Sequence, residues 1–183
     1  MPIGPAEREQ LLTLARQALT AKIYGRPLPH FAHPEGILAE KRGCFVTLTN
    51  KKQLRGCIGN FLPKLRLAEE VIEMTLAAAE DPRFFADPIT PGEVDELTIE
   101  ISVLSPLEKT DNPLDEIKIG EHGIYIVRGG QAGCFLPEVA TDQGWSTEEF
   151  LCYCCAHKAR LPADAWTQTD TNVFLFTTEK FSD

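Results

Sequence analysis

The hexapeptide LRGCIG, residues 54–59, holds the side chains of this sequence best suited to chemistry. Its nucleophile is Cys57, and Arg55 lies two residues earlier, which places both on one face of a β-strand. A guanidinium beside a thiol favours the thiolate, the form that attacks electrophiles and binds metals. Gly56 and Gly59 lack side chains, so another backbone or a ligand can approach closely. The hexapeptide predicts a reactive or ligand-contacting cysteine in a cleft.

The same residues have a plainer interpretation, which the sequence leaves open. Free cysteine is among the most buried residue types, so residue physics alone favours Cys57 as a small apolar side chain on a tightly packed strand. Glu100 and Ser102 are polar positions in a segment that otherwise has the pattern of a central strand. A buried carboxylate needs a partner, and Arg55 is available if the two strands are neighbours. Next to a cysteine, Glu100 can also act as a general base, whereas a solvated face needs neither role.

The tetrapeptide Asp81-Pro82-Arg83-Phe84 puts a charge pair at the end of a predicted helix. A cap followed by a turn is the ordinary meaning of such a segment. The functional alternative is that Arg83 anchors an anionic group of a substrate.

The six cysteines predict reduced thiols rather than disulfides, because no signal peptide is recognisable and three of them crowd into one predicted helix. On that helix Cys152 and Cys155 share one face while Cys154 and His157 share another, so the four cannot converge on one ion. Cys134 is interpreted as a packing residue. We therefore predict no metal site, and the absence of nucleotide-binding and hydrolase motifs predicts no cofactor.

The bulk properties narrow the function classes. The chain has 183 residues and a net charge of -9, which disfavours nucleic acids and anionic membranes as partners. No apolar run approaches the length of a membrane span. We expect a cytoplasmic protein.

The elements that must position these residues follow from hydrophobic periodicity. Helices are predicted over residues 5–22, 67–80 and 147–159, with helical turns at 112–117 and 137–141. Strands are predicted over residues 44–49, 54–61, 97–104, 124–127, 133–136 and 173–178. Hairpins without a βαβ rhythm favour an α+β fold, a mixed and mostly antiparallel sheet flanked by helices. The loop aromatics Phe84 and Phe85 are expected to plug the core, and residues 106–113 to join two lobes.

The sequence also resembles the AMMECR-type domain family. The resemblance rests on LRGCIG after Phe45–Leu48, on the Asp81–Phe84 segment, and on further matches at 99–105, 133–139, 144–145, 150–151 and 158–159. It covers nearly the whole chain, as a single domain over 1–183. Arg160 stands where the family often has glycine, so the last helix is expected to end without a glycine cap. Cys134 and Glu138 also depart from the usual pattern, which weakens any role for Cys134 and leaves that of Glu138 open.

The resemblance implies a larger lobe carrying LRGCIG, a smaller lobe within about 106–145, and a cleft between them. Prokaryotic members belong to the AmmeMemoRadiSam system, beside a Memo-like protein and a radical S-adenosylmethionine protein, and the family has no agreed activity. We expect a binding or accessory component of that system. The predicted binding residues are Gly56, Ile58, Gly59, Arg83 and Ser102. The alternative is an enzyme with Cys57 as nucleophile or redox thiol, assisted by Arg55 and Glu100.

Overall fold

A computed structural model describes residues 2–183 and divides the chain into two compact units. The first unit comprises the residues up to Leu104 together with Glu179–Asp183, and the second is Ser105–Thr178. Each unit has its own four-stranded sheet, and the strand pairs of known register are antiparallel. The predicted α+β class is confirmed. The sequence predicted one sheet, and the structure has two.

The helices are α1 (Pro5–Tyr24), α2 (Leu67–Ala79), α3 (Pro113–Glu116), α4 (Pro137–Gln143) and α5 (Thr147–Tyr153). The strands are β1 (Cys44–Asn50), β2 (Gln53–Asn60), β3 (Leu97–Leu104), β4 (Glu108–Thr110), β5 (Gly123–Arg128), β6 (Gln131–Phe135), β7 (Asn172–Phe176) and β8 (Thr178–Ser182). The sequence analysis missed β4, whose three residues are too few to show a period of two, and β8, which is separated from β7 by a single residue. Among residues 2–183 no helix has the length and apolar character needed to cross a membrane.

The first unit packs α1 and α2 against a sheet of order β2-β1-β3-β8. Alternation along the central strands turns one face inward and buries Val46, Leu48, Ile99 and Ile101. The turn between β1 and β2 has two central residues, Lys51 and Lys52, with φ of 49° and 68°. Positive φ at both positions matches the right-handed twist of a two-residue hairpin.

The second unit has a sheet of order β4-β7-β5-β6, covered by α5. The predicted helix over 147–159 changes at Cys154 into a π-helical segment, Cys154–Ala159. A Cβ at Gly133 of β6 would overlap the backbone nitrogen of Ala159, so strand and helix meet at backbone distance. Arg160 ends the segment with φ of 57°. The prediction that this helix ends without a glycine cap is therefore confirmed.

One prediction about the loop after α2 is wrong. Phe85 was expected to plug the core, but its side chain is 90% exposed, while Phe84 is half-buried. The loop is anchored on either side of the two rings, at Asp81 and at Asp87.

Candidate functional site

Cys57 lies in the middle of an edge strand, and its outward backbone groups are bound by side chains. Its N–H donates to Asp81 Oδ2 at 3.0 Å, and its carbonyl accepts from Arg83 Nη2 at 3.0 Å. β2 ends the sheet, so these two groups have no neighbouring strand to pair with. The side chains replace that strand and protect the edge against pairing with another chain.

Asp81 is fixed by the turn that follows α2. Its carboxylate accepts the backbone N–H of Arg83 at 3.0 Å and the Nε of the same residue at 3.0 Å. The hydrogen bond with Arg83 holds the pKa of Asp81 far below its usual range, with help from the N–H of Cys57, although burial opposes the shift. The carboxylate is 1% exposed. The segment thus forms the expected cap and turn, and the Arg83 guanidinium is committed to Asp81 and to Cys57.

The thiol of Cys57 is half-buried and accepts a hydrogen bond from Thr47 Oγ1 at 3.2 Å. Thr47 lies opposite Cys57 on one side and opposite Glu100 on the other, so the three share one row on the same sheet face. Two strand spacings separate Cys57 from Glu100, about 9–10 Å between their backbones. Thr47, which the sequence did not point to, is therefore the immediate neighbour of the thiol. Ser102 is buried in the parallel row that runs through Phe45 to Gly59.

The glycines of the hexapeptide are closely approached by the protein itself. A Cβ at Gly56 would overlap the carbonyl oxygen of Ala78, in the last turn of α2. A Cβ at Gly59 would overlap the ring of Phe45. Ile58 packs against the core of the first unit. Close approach was the predicted reason for these glycines, and the approaching groups are a helix end and an aromatic ring.

Arg55 lies where the pairing of β1 and β2 shifts register, between the pairs Leu48–Gly56 and Thr49–Leu54. The bulge leaves Arg55 unpaired, so the regular alternation used to relate it to Cys57 is interrupted there. Its hydrogen bonds go to the loop and the turn that precede β3.

The Arg55 guanidinium is 10% exposed and nearly saturated with acceptors. Nη1 donates to Asp87 Oδ2 at 2.7 Å, Nε to Glu93 Oε1 at 3.1 Å, and Nη2 to the carbonyl of Asp87 at 3.1 Å. Burial alone would lower the pKa of Arg55, but the hydrogen bonds with Glu93 and Asp87 outweigh it and raise the pKa. The cation expected to ionise the thiol is instead neutralised by two carboxylates.

The partners of Arg55 differ from Glu100, the partner that the sequence analysis considered. Glu100 is on β3, which is separated from β2 by β1, and Arg55 pairs with Asp87 and Glu93 instead. Sequence reasoning missed both carboxylates. The one available signal was the Thr90-x-x-Glu93 pattern of a capping box, which the structure contains. That pattern predicts a cap and says nothing about Arg55.

Two cavities meet at Arg55. One has a volume of about 380 Å³ and mostly apolar walls, formed by Ala79, Phe84, Phe85, Pro88 and Ile89, with Glu80 and Asp81 beside them. The other, of about 330 Å³, is polar and is lined by Asn50, Lys51, Gln53, Asp87 and Glu93. The wall that they share is the Arg55 side chain, the one charged residue of the hexapeptide. Together they form a recess beside the first residues of β2.

None of the remaining cysteines is among the residues that line this recess. Burial raises the pKa of the Cys134 thiol to about 11, which keeps it protonated at neutral pH. Cys152 Sγ accepts from the indole nitrogen of Trp166 at 3.4 Å. Within residues 2–183 no three His, Cys, Asp or Glu side chains are grouped so that they could hold a metal ion.

A family model described as AMMECR1 matches residues 12–181 of the chain. A protein of Thermococcus gammatolerans is 43% identical over 188 residues, covering 96% of this chain and 89% of its own length. A protein of Methanopyrus kandleri is 40% identical and covers 97% of this chain and 88% of its own length. The crystal structure of a Pyrococcus horikoshii protein, described as uncharacterized, is similar with a TM-score of 0.80 and 38% identity. That match covers 94% of this chain and 89% of the other.

Proposed function

The chain belongs to the AMMECR1 family, and we propose that it acts as a binding or accessory component rather than as a stand-alone enzyme. One observation carries the proposal: the two arginines that catalysis or anion binding would use already have structural partners. Arg55 is paired with Asp87 and Glu93, and Arg83 with Asp81. Paired charges of this kind hold loops in place and resist changes of protonation.

The binding surface that we propose is the recess beside Arg55, with the exposed ring of Phe85 at its rim. An exposed aromatic side chain next to an apolar cavity is a common feature of protein interaction sites. The partners implied by the family resemblance are a Memo-like protein and a radical S-adenosylmethionine protein. We propose that one of these two docks at the recess.

Co-purification of the tagged chain with these two proteins tests the proposal. Phe85→Ala should reduce recovery of the partner about 10-fold or more, as for a central aromatic contact. The matched control is Leu114→Ala, an exposed apolar residue of the second unit, which should leave recovery unchanged. Cys57→Ser should also retain the partner, because the serine can still accept from Thr47 and the backbone contacts remain. Full recovery with Phe85→Ala would rule out this surface.

A second function, thiol chemistry at Cys57, is favoured by one observation. The thiol is half-buried rather than fully buried and is oriented by the Thr47 hydroxyl. Alkylation of the folded protein by iodoacetamide between pH 6 and 9, followed by peptide mass spectrometry, tests this function. Buried Cys44 is the internal control. If Cys57 is modified only after unfolding, as Cys44 should be, the thiol is not a nucleophile in the native protein.

A further inference from the structure

The apolar cavity beside Arg55 is large enough to admit an apolar side chain of a partner protein. Its volume of about 380 Å³ is at the lower end of the range for ligand cavities, about 300–1,000 Å³. Phe85 at its rim is the most exposed large apolar side chain among residues 2–183. An apolar side chain entering the cavity would cover this ring together with Phe84, Pro88 and Ile89.

The charged residues around the cavity indicate which type of residue would adjoin that apolar side chain in a bound segment. The recess is lined by two cations, Arg55 and Lys51, and by four carboxylates, those of Glu80, Asp81, Asp87 and Glu93. Lys51 is paired with Glu96, and Arg55 with Asp87 and Glu93. An anionic ligand at Arg55 would therefore have to displace a carboxylate. By contrast, the Glu80 and Asp87 side chains are 65% and 81% exposed, so each can accept from an additional donor. The net charge of -9 also attracts cations and repels anions.

We propose that the recess binds a protein segment in which an apolar residue is followed directly by a lysine or arginine. This inference rests on the proposed binding function and names the chemistry of the partner segment. The apolar side chain fills the cavity against Phe85. The basic residue lays its aliphatic stem on the rim, and its cationic group contacts Asp87 or Glu80. The exposed face of the Phe85 ring adds a cation–π contact.

Two synthetic peptides test the proposal on the full chain: acetyl-Gly-Leu-Lys-Gly-amide and acetyl-Gly-Leu-Glu-Gly-amide. Each is titrated into the ¹⁵N-labelled protein at low salt, and amide shifts are followed by NMR. The lysine peptide should bind about 10-fold more tightly than the glutamate peptide, and the shifts should centre on residues 79–89. Phe85→Ala should weaken binding of the lysine peptide about 10-fold.

The charge preference is tested by Asp87→Asn. This change should reduce the preference for lysine to about 3-fold or less, because it removes the most exposed carboxylate at the recess. The matched control is Asp111→Asn. Asp111 is an exposed carboxylate of the second unit, and like Asp87 it is paired with a cation, here Lys109. It should leave the 10-fold preference intact.

Equal binding of the two peptides, tighter binding of the glutamate peptide, or shifts centred elsewhere would overturn the inference. If neither peptide binds while Phe85→Ala still abolishes co-purification, the segment chemistry is wrong and the proposed function survives. If Phe85→Ala leaves both peptide binding and co-purification unchanged, the proposed function fails at this surface as well.

Discussion

Replacing Gly56 by alanine should destabilise the first unit, because β2 and α2 meet there at backbone distance. The added Cβ would overlap the carbonyl oxygen of Ala78 and lie 2.9 Å from its carbonyl carbon. Neither atom belongs to a flexible side chain, so the end of α2 must move. The Ala78 carbonyl also accepts the N–H of Asp81 at 3.3 Å. Movement there disturbs the carboxylate that binds Cys57.

The expected loss of unfolding free energy is about 2 kcal/mol. Overpacking a well-packed site costs about 1–3 kcal/mol, and backbone contacts put this site in the upper part of that range. The alanine recovers about 0.4–1 kcal/mol by restricting the unfolded chain. Gly92→Ala is the matched control, since a Cβ at Gly92 has no atom within 4 Å. That variant should be as stable as the parent or slightly more stable.

Urea unfolding followed by far-UV circular dichroism measures both variants. Tryptophan fluorescence is a useful second probe, because Trp145 and Trp166 both lie in the second unit. For Gly56→Ala the dichroism transition should begin at a lower urea concentration than in the parent. Equal stability of Gly56→Ala and Gly92→Ala would refute the close contact between β2 and α2.

Three further substitutions have expected outcomes. The pKa of Asp81 in the folded protein lies below its ordinary value of about 3.9. The stability that the Asp81 carboxylate contributes is therefore complete above about pH 3.9 and is lost as the pH falls further. Asp81→Asn should lower the free energy of unfolding by about 2 kcal/mol at pH 7 and should make stability depend less steeply on pH in the acid range. Urea midpoints measured from pH 7 to 2 test this, and a pH dependence equal to that of the parent would contradict it. Arg160→Gly should stabilise the second unit by about 0.5–1 kcal/mol, because glycine adopts the left-handed conformation without strain; an equal or lower melting temperature would argue against it. Ser146→Ala should cost about 1 kcal/mol by removing the capping box with Glu149, and an unchanged fluorescence-detected midpoint would show that the cap is dispensable.

The hexapeptide has a structural role at most of its positions. Gly56 admits the end of α2, Gly59 admits an aromatic ring, and Cys57 presents its backbone to the Asp81–Arg83 pair. Arg55 fastens the loop that carries Phe85 to the start of β2. The unusual composition of the hexapeptide therefore reflects close packing at the edge of the sheet. The recess that we propose as a binding site lies at that edge.

The local elements of this protein follow from its sequence alone. Alternating apolar residues in 97–104 place Ile99 and Ile101 on one face of a strand, and both are buried. The buried stripe of α1 follows from a three-and-four spacing of apolar residues at Leu11, Leu14, Ala15, Ala18 and Leu19. These patterns are readable because backbone geometry imposes a period of 2.0 on strands and 3.6 on helices.

Which groups meet at the site follows from long-range packing. Arg55 contacts carboxylates 32 and 38 residues away, and no periodic pattern connects residues across a loop. Because the strand order is β2-β1-β3, Thr47 lies between Cys57 and Glu100, and Arg55 on β2 is not on a strand next to that of Glu100. The ring of Phe85 likewise turned outward, which its residue type did not predict. Strand order and loop anchoring depend on the packing of the whole unit, so the sequence could point to the hexapeptide but not to its partners.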